Sequence, residues 1–253
     1  MPENAHPDDA AGAPRTADTA IRYLDAIEDL LARARVANRD SIPAAASIIA
    51  DTVERDGLIQ TFGSGHSQLL ALEAAGRAGG YAGVQVIFDP GMGRSEQVEG
   101  YARSLLRDHV LAPPDCLIIA SNSGRNPAPV DMALAGREAG VPIIAITALD
   151  YARGNKSRHS SGKRLHDLAD VVLDTCGPPG DAVLGIEGAP VAAGATSTVL
   201  GAALLNAVLV ESVAELVRRG MEPPLVRSYN LDGSEAHNER MFARYRSRVH
   251  TVI

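Results

Sequence analysis

Two short segments rich in glycine and serine carry the residue types that bind an anionic group. The first is Gly63-Ser64-Gly65-His66-Ser67, and the second, from Ser121 to Pro127, reads Ser-Asn-Ser-Gly-Arg-Asn-Pro. Each follows a short apolar run and opens a helical pattern. Glycines let backbone N–H groups approach an oxyanion, hydroxyls donate further hydrogen bonds, and a helix N-terminus adds a favourable dipole. Together the segments predict a cradle for one phosphate, whereas a tight strand-to-helix turn would explain the first segment alone.

The sequence lacks the other glycine-rich and nucleophile motifs that bind cofactors or carry out catalysis. Gly63 and Gly65 begin a dinucleotide fingerprint, but Gln68 stands at the third glycine position and Asp89 is followed by Pro-Gly. Neither a triphosphate-binding Gly-x-x-x-x-Gly-Lys-Ser/Thr nor a Gly-x-Ser-x-Gly nucleophile elbow occurs. Cys116 and Cys176 lack the spacing of a zinc knuckle or a redox pair, and we interpret both as buried thiols. We therefore expect no cofactor and no metal site.

The composition and net charge limit the kinds of molecule that the protein is expected to bind. The chain has 253 residues, 45% of them hydrophobic, so one large domain or two small ones can build a core. It carries 24 Lys and Arg against 31 Asp and Glu, a formal charge of −7, and only 4% aromatic residues with no Trp. Nucleic acid and anionic membranes are improbable partners for such a surface. The acidic, Pro-rich start is unlike a signal peptide, which favours the cytoplasm.

The elements that must position the two segments alternate along the chain. We expect residues 1–17 to form a disordered tail and residues 18–253 to form a single domain, beginning with two helices. Short β-branched runs then alternate with helical patterns, which is typical of an α/β, doubly wound, mainly parallel five-stranded sheet flanked by helices. The predicted strands are Leu58–Phe62, Val84–Phe88, Cys116–Ala120, Ile143–Thr147 and Val171–Asp174. The predicted intervening helices are Ser67–Ala78, Ser95–Leu106 and Ala128–Ala139.

Three further segments have distinctive compositions. Residues 188–210 carry no formal charge, and we predict a buried helix there, from about Thr198 to Arg219, rather than a membrane span. The basic, Ser-rich stretch between Tyr151 and His166 is too long for a plain connection, so it is either a lid or a solvated excursion. The polar tail from residue 227 to 238 is expected to pack on the rest of the chain.

Over residues 41–219 the chain resembles the sugar isomerase (SIS) domain family, whose fold includes phosphoheptose isomerase. Ser121-Asn-Ser-Gly-Arg-Asn-Pro is similar to the Ser-Gly-Arg-Thr-Pro loop of the N-acetylmuramic acid phosphate etherase branch. Arg158-His-Ser-Ser-Gly-Lys-Arg and Thr196-Ser-Thr-Val resemble stand-alone SIS proteins called UPF0309. The resemblance implies a phosphorylated sugar as ligand and a homodimer or homotetramer. It also places phosphate ligands at Ser121, Asn122, Ser123 and Asn126.

Aldose–ketose isomerisation needs a group that carries a proton between adjacent carbons and an acid or base for ring opening. The resemblance implies a carboxylate on the helix after the first segment, where Glu73 stands, although Glu73 could simply pair with Arg77. His66 could titrate near neutrality or be an ordinary loop histidine. Glu99, in Val98-Glu99-Gly100, could reach a ligand or be a solvated helix residue.

Further candidate site residues lie near the start of the last helix, on that helix and in the tail. Thr196 and Ser197, together with Glu187, could contact sugar hydroxyls or cap the helix. Asn206 or Glu211 stands where phosphoheptose isomerase-like proteins present a histidine, and His237 could be lent across a dimer. The leading prediction is an aldose–ketose sugar-phosphate isomerase. The alternatives are a phosphosugar sensor without turnover, and an etherase or lyase acting on an amino-sugar phosphate.

Overall fold

A parallel sheet of five strands organises the structure. The structure is a computed structural model that describes residues 16–250, and side chains from residue 18, so the predicted tail at 1–17 falls almost wholly outside the described residues. The strands are β1 Ile59–Gly63, β2 Val84–Ile87, β3 Cys116–Ala120, β4 Ile143–Thr147 and β5 Val171–Asp174, in the order β2-β1-β3-β4-β5. All neighbours are parallel. The predicted doubly wound α/β sheet is confirmed.

Helices cover both faces of this sheet. Their bounds are α1 Thr16–Ala37, α2 Ser41–Glu54, α3 Gln68–Glu73, α4 Tyr101–Leu105, α5 Pro127–Ala139, α6 Leu149–Arg153, α7 Leu165–Leu168, α8 Ser197–Arg218 and α9 Ser234–Ala243. One core cluster includes Ile49 of α2 and Leu204 of α8, and the other includes Phe62 of β1 and Met132 of α5. Neighbouring strand residues alternate between the clusters because successive side chains point to opposite faces.

Two predicted helices are shorter than expected. The helix predicted from Ser67 to Ala78 begins with a 3₁₀ turn at Gly65–Ser67 and ends at Glu73, and Gly76 follows with a left-handed φ of 64°. The helix predicted from Ser95 to Leu106 covers only Tyr101–Leu105, because turns occupy the residues before it and Gly100 has a φ of 83°. Left-handed backbone interrupts a right-handed helix, so the apolar periodicity overstated both helices.

The long uncharged stretch folds as two different elements. Its first part contains β7 Ala193–Ala195. This strand pairs with β6 Ala182–Leu184, which precedes the stretch, in a hairpin that periodicity did not predict. Its second part is α8, the one helix among the described residues that is long and apolar enough to cross a membrane. One face of α8 is buried against α2 and the sheet, including Leu200, Leu205 and Val208. The predicted buried helix is therefore confirmed, with its start at Ser197.

The C-terminal tail packs on the rest of the chain, as expected. Met241 of α9 and Tyr245 form a small apolar cluster with Leu58, Ala82 and Val226. The helical conformation of residues 234–243 was not predicted. Cys116 is buried and Cys176 half-buried, and burial raises the pKa of Cys176 to about 11, so neither thiol has reactive character.

Candidate functional site

A cleft of about 430 Å³ lies where the carboxyl ends of β1 and β3 meet. These strands are neighbours, and the chain leaves them in opposite directions across the sheet, so the cleft is at the topological switch point where open α/β sheets bind ligands. Both glycine- and serine-rich segments line it. The predicted site residues that line it are Ser64, Gly65, His66, Ser67, Ser121, Asn122, Ser123, Asn126 and Ser197.

The second segment presents unpaired groups to this cleft. The carbonyl of Asn122 accepts hydrogen bonds from the Ala148 amide and the Thr147 hydroxyl, both at 3.1 Å, which fixes the loop against β4. Within residues 16–250 the amides of Asn122 and Ser123 have no acceptor, and the buried Oδ1 of Asn122 has no partner. Helix α5 begins directly after Asn126, without a side-chain cap. Within α5, Pro127 and Pro129 have no N–H and the Ala128 amide donates to the Glu96 carbonyl at 2.9 Å, so the donors available to an anionic group are the amides of Asn122 and Ser123 just before the helix.

The first segment is fixed by Asp89, which is fully buried. Its carboxylate accepts hydrogen bonds from the Ser64 hydroxyl at 2.7 Å, the Tyr101 hydroxyl at 2.5 Å, and the amides of Gly91 and Gly93, both at 2.9 Å. Burial raises the pKa of Asp89, but these hydrogen bonds outweigh it and lower the pKa overall. The Ser64 hydroxyl is thus a structural group, and the segment after β2 is held over the cleft.

Replacing Asp89 with asparagine should lower the free energy of unfolding by about 3 kcal/mol at pH 7, because an amide cannot accept all four hydrogen bonds. Since the folded-state pKa is depressed, the carboxylate stabilises the fold above its unfolded pKa and this stabilisation is lost as the pH falls through the folded pKa. Urea unfolding at pH 7 and at decreasing pH would test this. The exposed Asp232→Asn serves as control, and an equal effect of both substitutions would contradict the role of Asp89.

Glu96 is a site residue that sequence reasoning missed. It is half-buried in the cleft wall, and its Oε1 accepts a hydrogen bond from Asn126 Nδ2 at 2.8 Å. Burial raises its pKa, the Arg158 guanidinium opposes the shift, and Asp89 adds to it, so the net change is upward. A carboxylate with a raised pKa is a stronger base, which suits a group that takes up and releases a proton. The signal available in the sequence was a carboxylate between two glycines, Gly93 and Gly100, in the segment after the second strand.

Asp181 is a second site residue that the sequence analysis did not identify, and its carboxylate lies at the N-terminus of α8. Its carboxylate accepts hydrogen bonds from the amides of Thr196 and Ser197, at 3.0 and 2.7 Å, and from both hydroxyls, at 3.0 and 2.8 Å. Burial raises its pKa, but the hydrogen bonds lower it overall. The N-terminus of α8 therefore already holds a carboxylate, which leaves the free amides of the second segment for an incoming anion.

The comparisons with known proteins agree with this architecture. The SIS domain model matches residues 22–148. A UPF0309 protein of Streptomyces coelicolor is 41% identical over 239 residues, which is 90% of this chain and 95% of that protein. The chain belongs to the SIS domain family. The resemblance to UPF0309 proteins is likewise confirmed.

Two solved structures show the same fold as this SIS domain. One is a phosphoheptose isomerase from Francisella tularensis, with a TM-score of 0.53, 12% identity, and coverage of 81% of this chain and 99% of that one. The other is the Vibrio vulnificus NanR protein complexed with ManNAc-6P, with a TM-score of 0.50, 13% identity, and coverage of 93% and 72%. At these identities the likeness establishes the fold alone.

Several predicted residues of this SIS domain lie outside the cleft. Glu73 pairs with Arg77 and accepts a hydrogen bond from Asn206 Nδ2 at 3.2 Å, between α3 and α8. Glu99 is exposed and accepts hydrogen bonds from the amide and hydroxyl of Ser160, both at 2.6 Å, which lower its pKa. Neither carboxylate is among the groups that face the two segments within this chain.

Gly63, Thr196 and His237 support the fold around the site. Gly63 is buried, and a Cβ there would meet the Ser67 carbonyl oxygen at 2.3 Å, so glycine allows the first segment to close on itself. Thr196 is fully buried, with its hydroxyl on Asp181. His237 contacts the Leu225 carbonyl of its own chain at 2.8 Å through Nε2. Glu187 is exposed and away from the cleft lining.

The basic stretch after α6 packs onto the second segment. The Arg158 amide donates to the Arg125 carbonyl at 2.9 Å, and the Leu165 amide donates to Gly124 at 2.8 Å. Arg158 Nη1 also donates to Asn126 Oδ1 at 3.1 Å. Most of the stretch is exposed to solvent, but these hydrogen bonds attach it to the second segment. Among the described residues, no group of three or more His, Cys, Asp or Glu could hold a metal ion.

Proposed function

We propose that this SIS domain binds a phosphorylated sugar and interconverts its aldose and ketose forms. The observation that carries the proposal is the convergence of both loop segments and the start of α5 on one cleft, with the carboxylate of Glu96 in its wall. The fold shared with a phosphoheptose isomerase and with a protein complexed with ManNAc-6P supports the same class of ligand.

The phosphate group is expected at the second segment, just before α5. The amides of Asn122 and Ser123 point to oxyanion binding because they lack acceptors in the described chain. The hydroxyls of Ser67 and Ser123, which have no partner there either, add two donors. None of the described cleft-lining side chains is Lys or Arg, so oriented N–H and O–H donors supply the affinity. The unpartnered Oδ1 of Asn122 would accept a sugar hydroxyl.

Glu96 is the proposed proton carrier. Its carboxylate removes the hydrogen from the carbon next to the carbonyl, the C–H electron pair forms a carbon–carbon double bond, and the carbonyl π pair moves to the oxygen to give an enediolate. A proton, which can exchange with solvent while it is on Glu96, is then delivered to the former carbonyl carbon, and the proton of the neighbouring hydroxyl passes to the former carbonyl oxygen, which completes the isomerisation. Asn126 orients Glu96 by its hydrogen bond, and the phosphate anchor positions the reacting carbons. We propose that His66, exposed at the cleft, assists ring opening.

The test is hydrogen exchange on a panel of hexose, heptose and amino-sugar phosphates in D₂O. Proton NMR should show loss of the C2 hydrogen and appearance of the isomeric sugar for one of them. Silence across the panel, with binding retained, would overturn the isomerase and leave a sensor. Elimination begins with the same proton removal, so lactate release from a muramic acid phosphate would instead identify an etherase.

The sensor remains the second candidate because polar groups of the cleft are already engaged. The hydroxyls of Ser64 and Ser197 are bound to Asp89 and Asp181, and the amide of Asn126 is bound to Glu96. Such a prearranged network could bind a ligand without turnover. A sensor would show saturable sugar-phosphate binding and no exchange of the C2 hydrogen in the unmodified protein.

We further propose that the protein pairs with a second copy of itself through α1 and α8. These helices contact each other, and both leave large apolar side chains exposed: Leu24 at 59%, Val210 at 70% and Val217 at 59%. Burying such a surface is favourable in water. Light scattering should give the mass of a dimer, and Val210→Asp should shift it toward the monomer. A monomeric parent protein would contradict the proposal.

A further inference from the structure

A second polar cleft, of about 320 Å³, lies at the opposite end of the sheet. Gln60 and Gln85, near the starts of β1 and β2, contribute to its floor. Its walls come from the turn at residues 108–110 and from the C-terminal segment at residues 247–250. The phosphosugar cleft is at the carboxyl ends of the same strands, so the two clefts share no residue and the second has no part in the proposed reaction.

The walls of this second cleft are held by buried polar contacts. Asp115 is fully buried, and its carboxylate accepts hydrogen bonds from Arg248 at 2.7 and 2.8 Å and from the Leu58 amide at 2.8 Å. The His250 amide donates to Gln85 Oε1 at 2.7 Å. The C-terminal segment is therefore attached across the amino-terminal end of the sheet at two points, and the cleft is a built feature.

Within residues 16–250, two buried polar atoms on side chains that line the second cleft have no hydrogen-bond partner. They are Gln60 Oε1 and His109 Nδ1, and Gln60 is only 2% exposed. The Gln60 amide cannot be turned to exchange its atoms, because Nε2 donates to the Val110 carbonyl at 2.7 Å and to Asp115 Oδ2 at 2.9 Å. An unsatisfied buried acceptor destabilises a fold, so two at one cleft indicate a missing partner.

We propose that the second cleft binds a small molecule through a primary carboxamide, or a group with the same donor–acceptor pattern. Gln60 Oε1 accepts an N–H of that group, and its carbonyl oxygen accepts the Nδ1–H of His109. Burial lowers the pKa of His109, with Asp108 opposing, so the neutral ring can present Nδ1 as donor. The Arg248 charge is balanced by Asp115, and Asp108 is the remaining charge, which disfavours an anionic ligand.

Three pyridine compounds of similar shape test whether the ligand must donate an N–H. Nicotinamide has a carboxamide, 3-acetylpyridine keeps the carbonyl without the N–H, and nicotinate is an anion without it. Saturation-transfer NMR on the full chain should show saturable binding of nicotinamide, with 3-acetylpyridine and nicotinate at least about tenfold weaker, the factor that 1.4 kcal/mol represents. Equal binding of all three would overturn the proposed recognition.

Two variants locate the binding. Ser247 is exposed and lines the mouth of the second cleft, so Ser247→Trp should block nicotinamide without removing a buried contact. Ala243→Trp adds the same side chain at an exposed position on α9 outside the cleft and should bind normally. No binding of nicotinamide, or binding unaffected by Ser247→Trp, would mean that ordered water alone satisfies Gln60 and His109, and the proposal would fail.

Discussion

Replacing Glu96 with glutamine should reduce exchange of the substrate C2 hydrogen by about 10²–10⁴-fold, while affinity for the sugar phosphate changes little. Glutamine has the same volume, and its carbonyl can still accept the hydrogen bond from Asn126 Nδ2. It cannot take up a proton from carbon, so only the chemical step is lost. Exchange rates from NMR in D₂O, together with binding measured by calorimetry, separate the two effects.

The pH dependence of the reaction gives a second readout for Glu96. Its pKa is raised above the ordinary 4.5, and the carboxylate form is the base. Activity should therefore fall as the pH drops through this raised pKa, and the midpoint should lie above pH 4.5. Arg158→Met should move the midpoint upward, since the guanidinium opposes the shift.

Glu73→Gln and Glu99→Gln are the matched controls for Glu96→Gln. Each removes one negative charge from a carboxylate outside the cleft lining. Loss of exchange in either control, with Glu96→Gln still active, would show that the proton carrier is another residue, for example one supplied by a second copy of the chain. An inactive parent protein that binds sugar phosphates would favour the sensor.

The sheet and the two loop segments could be predicted because their signals are local. Buried parallel strands read as short β-branched runs, and the five predicted strands match the observed ones to within about two residues. The carboxyl ends of neighbouring strands lie at one edge of a sheet, so segments following β1 and β3 were expected to meet. The sequence alone was therefore sufficient to predict that Ser67 and Ser123 line the same site.

The acidic residues of the cleft could not be predicted because tertiary contacts place them. Glu96 reaches the cleft only because Asp89 holds the segment after β2 against Ser64, and no periodic pattern encodes such a contact. Asp181 has a left-handed φ of 74° and belongs to the hairpin before α8, which the uncharged run concealed. Glu73 was favoured instead of Glu96 because the family resemblance implied a carboxylate on the helix after the first segment.

Gly63→Ala should weaken sugar-phosphate binding by more than about 100-fold and lower the free energy of unfolding by about 2–4 kcal/mol. The added Cβ would lie 2.3 Å from the Ser67 carbonyl oxygen and 2.9 Å from the Gln68 amide nitrogen. Both are backbone atoms, so no side-chain rotation relieves the clash and the first segment must move. Calorimetric titration with the active sugar phosphate and urea unfolding measure the two effects.

Gly185→Ala is the matched control, because a Cβ at Gly185 has no neighbour within 4 Å and its φ is not left-handed. It should leave both binding and stability unchanged. If Gly63→Ala does not fold, Ser67→Ala tests the same segment by removing one donor, with an expected loss of about fivefold in affinity. Normal affinity in both first-segment variants would mean that the phosphate is held by the second segment alone, because a shifted 3₁₀ turn cannot keep its donors in place.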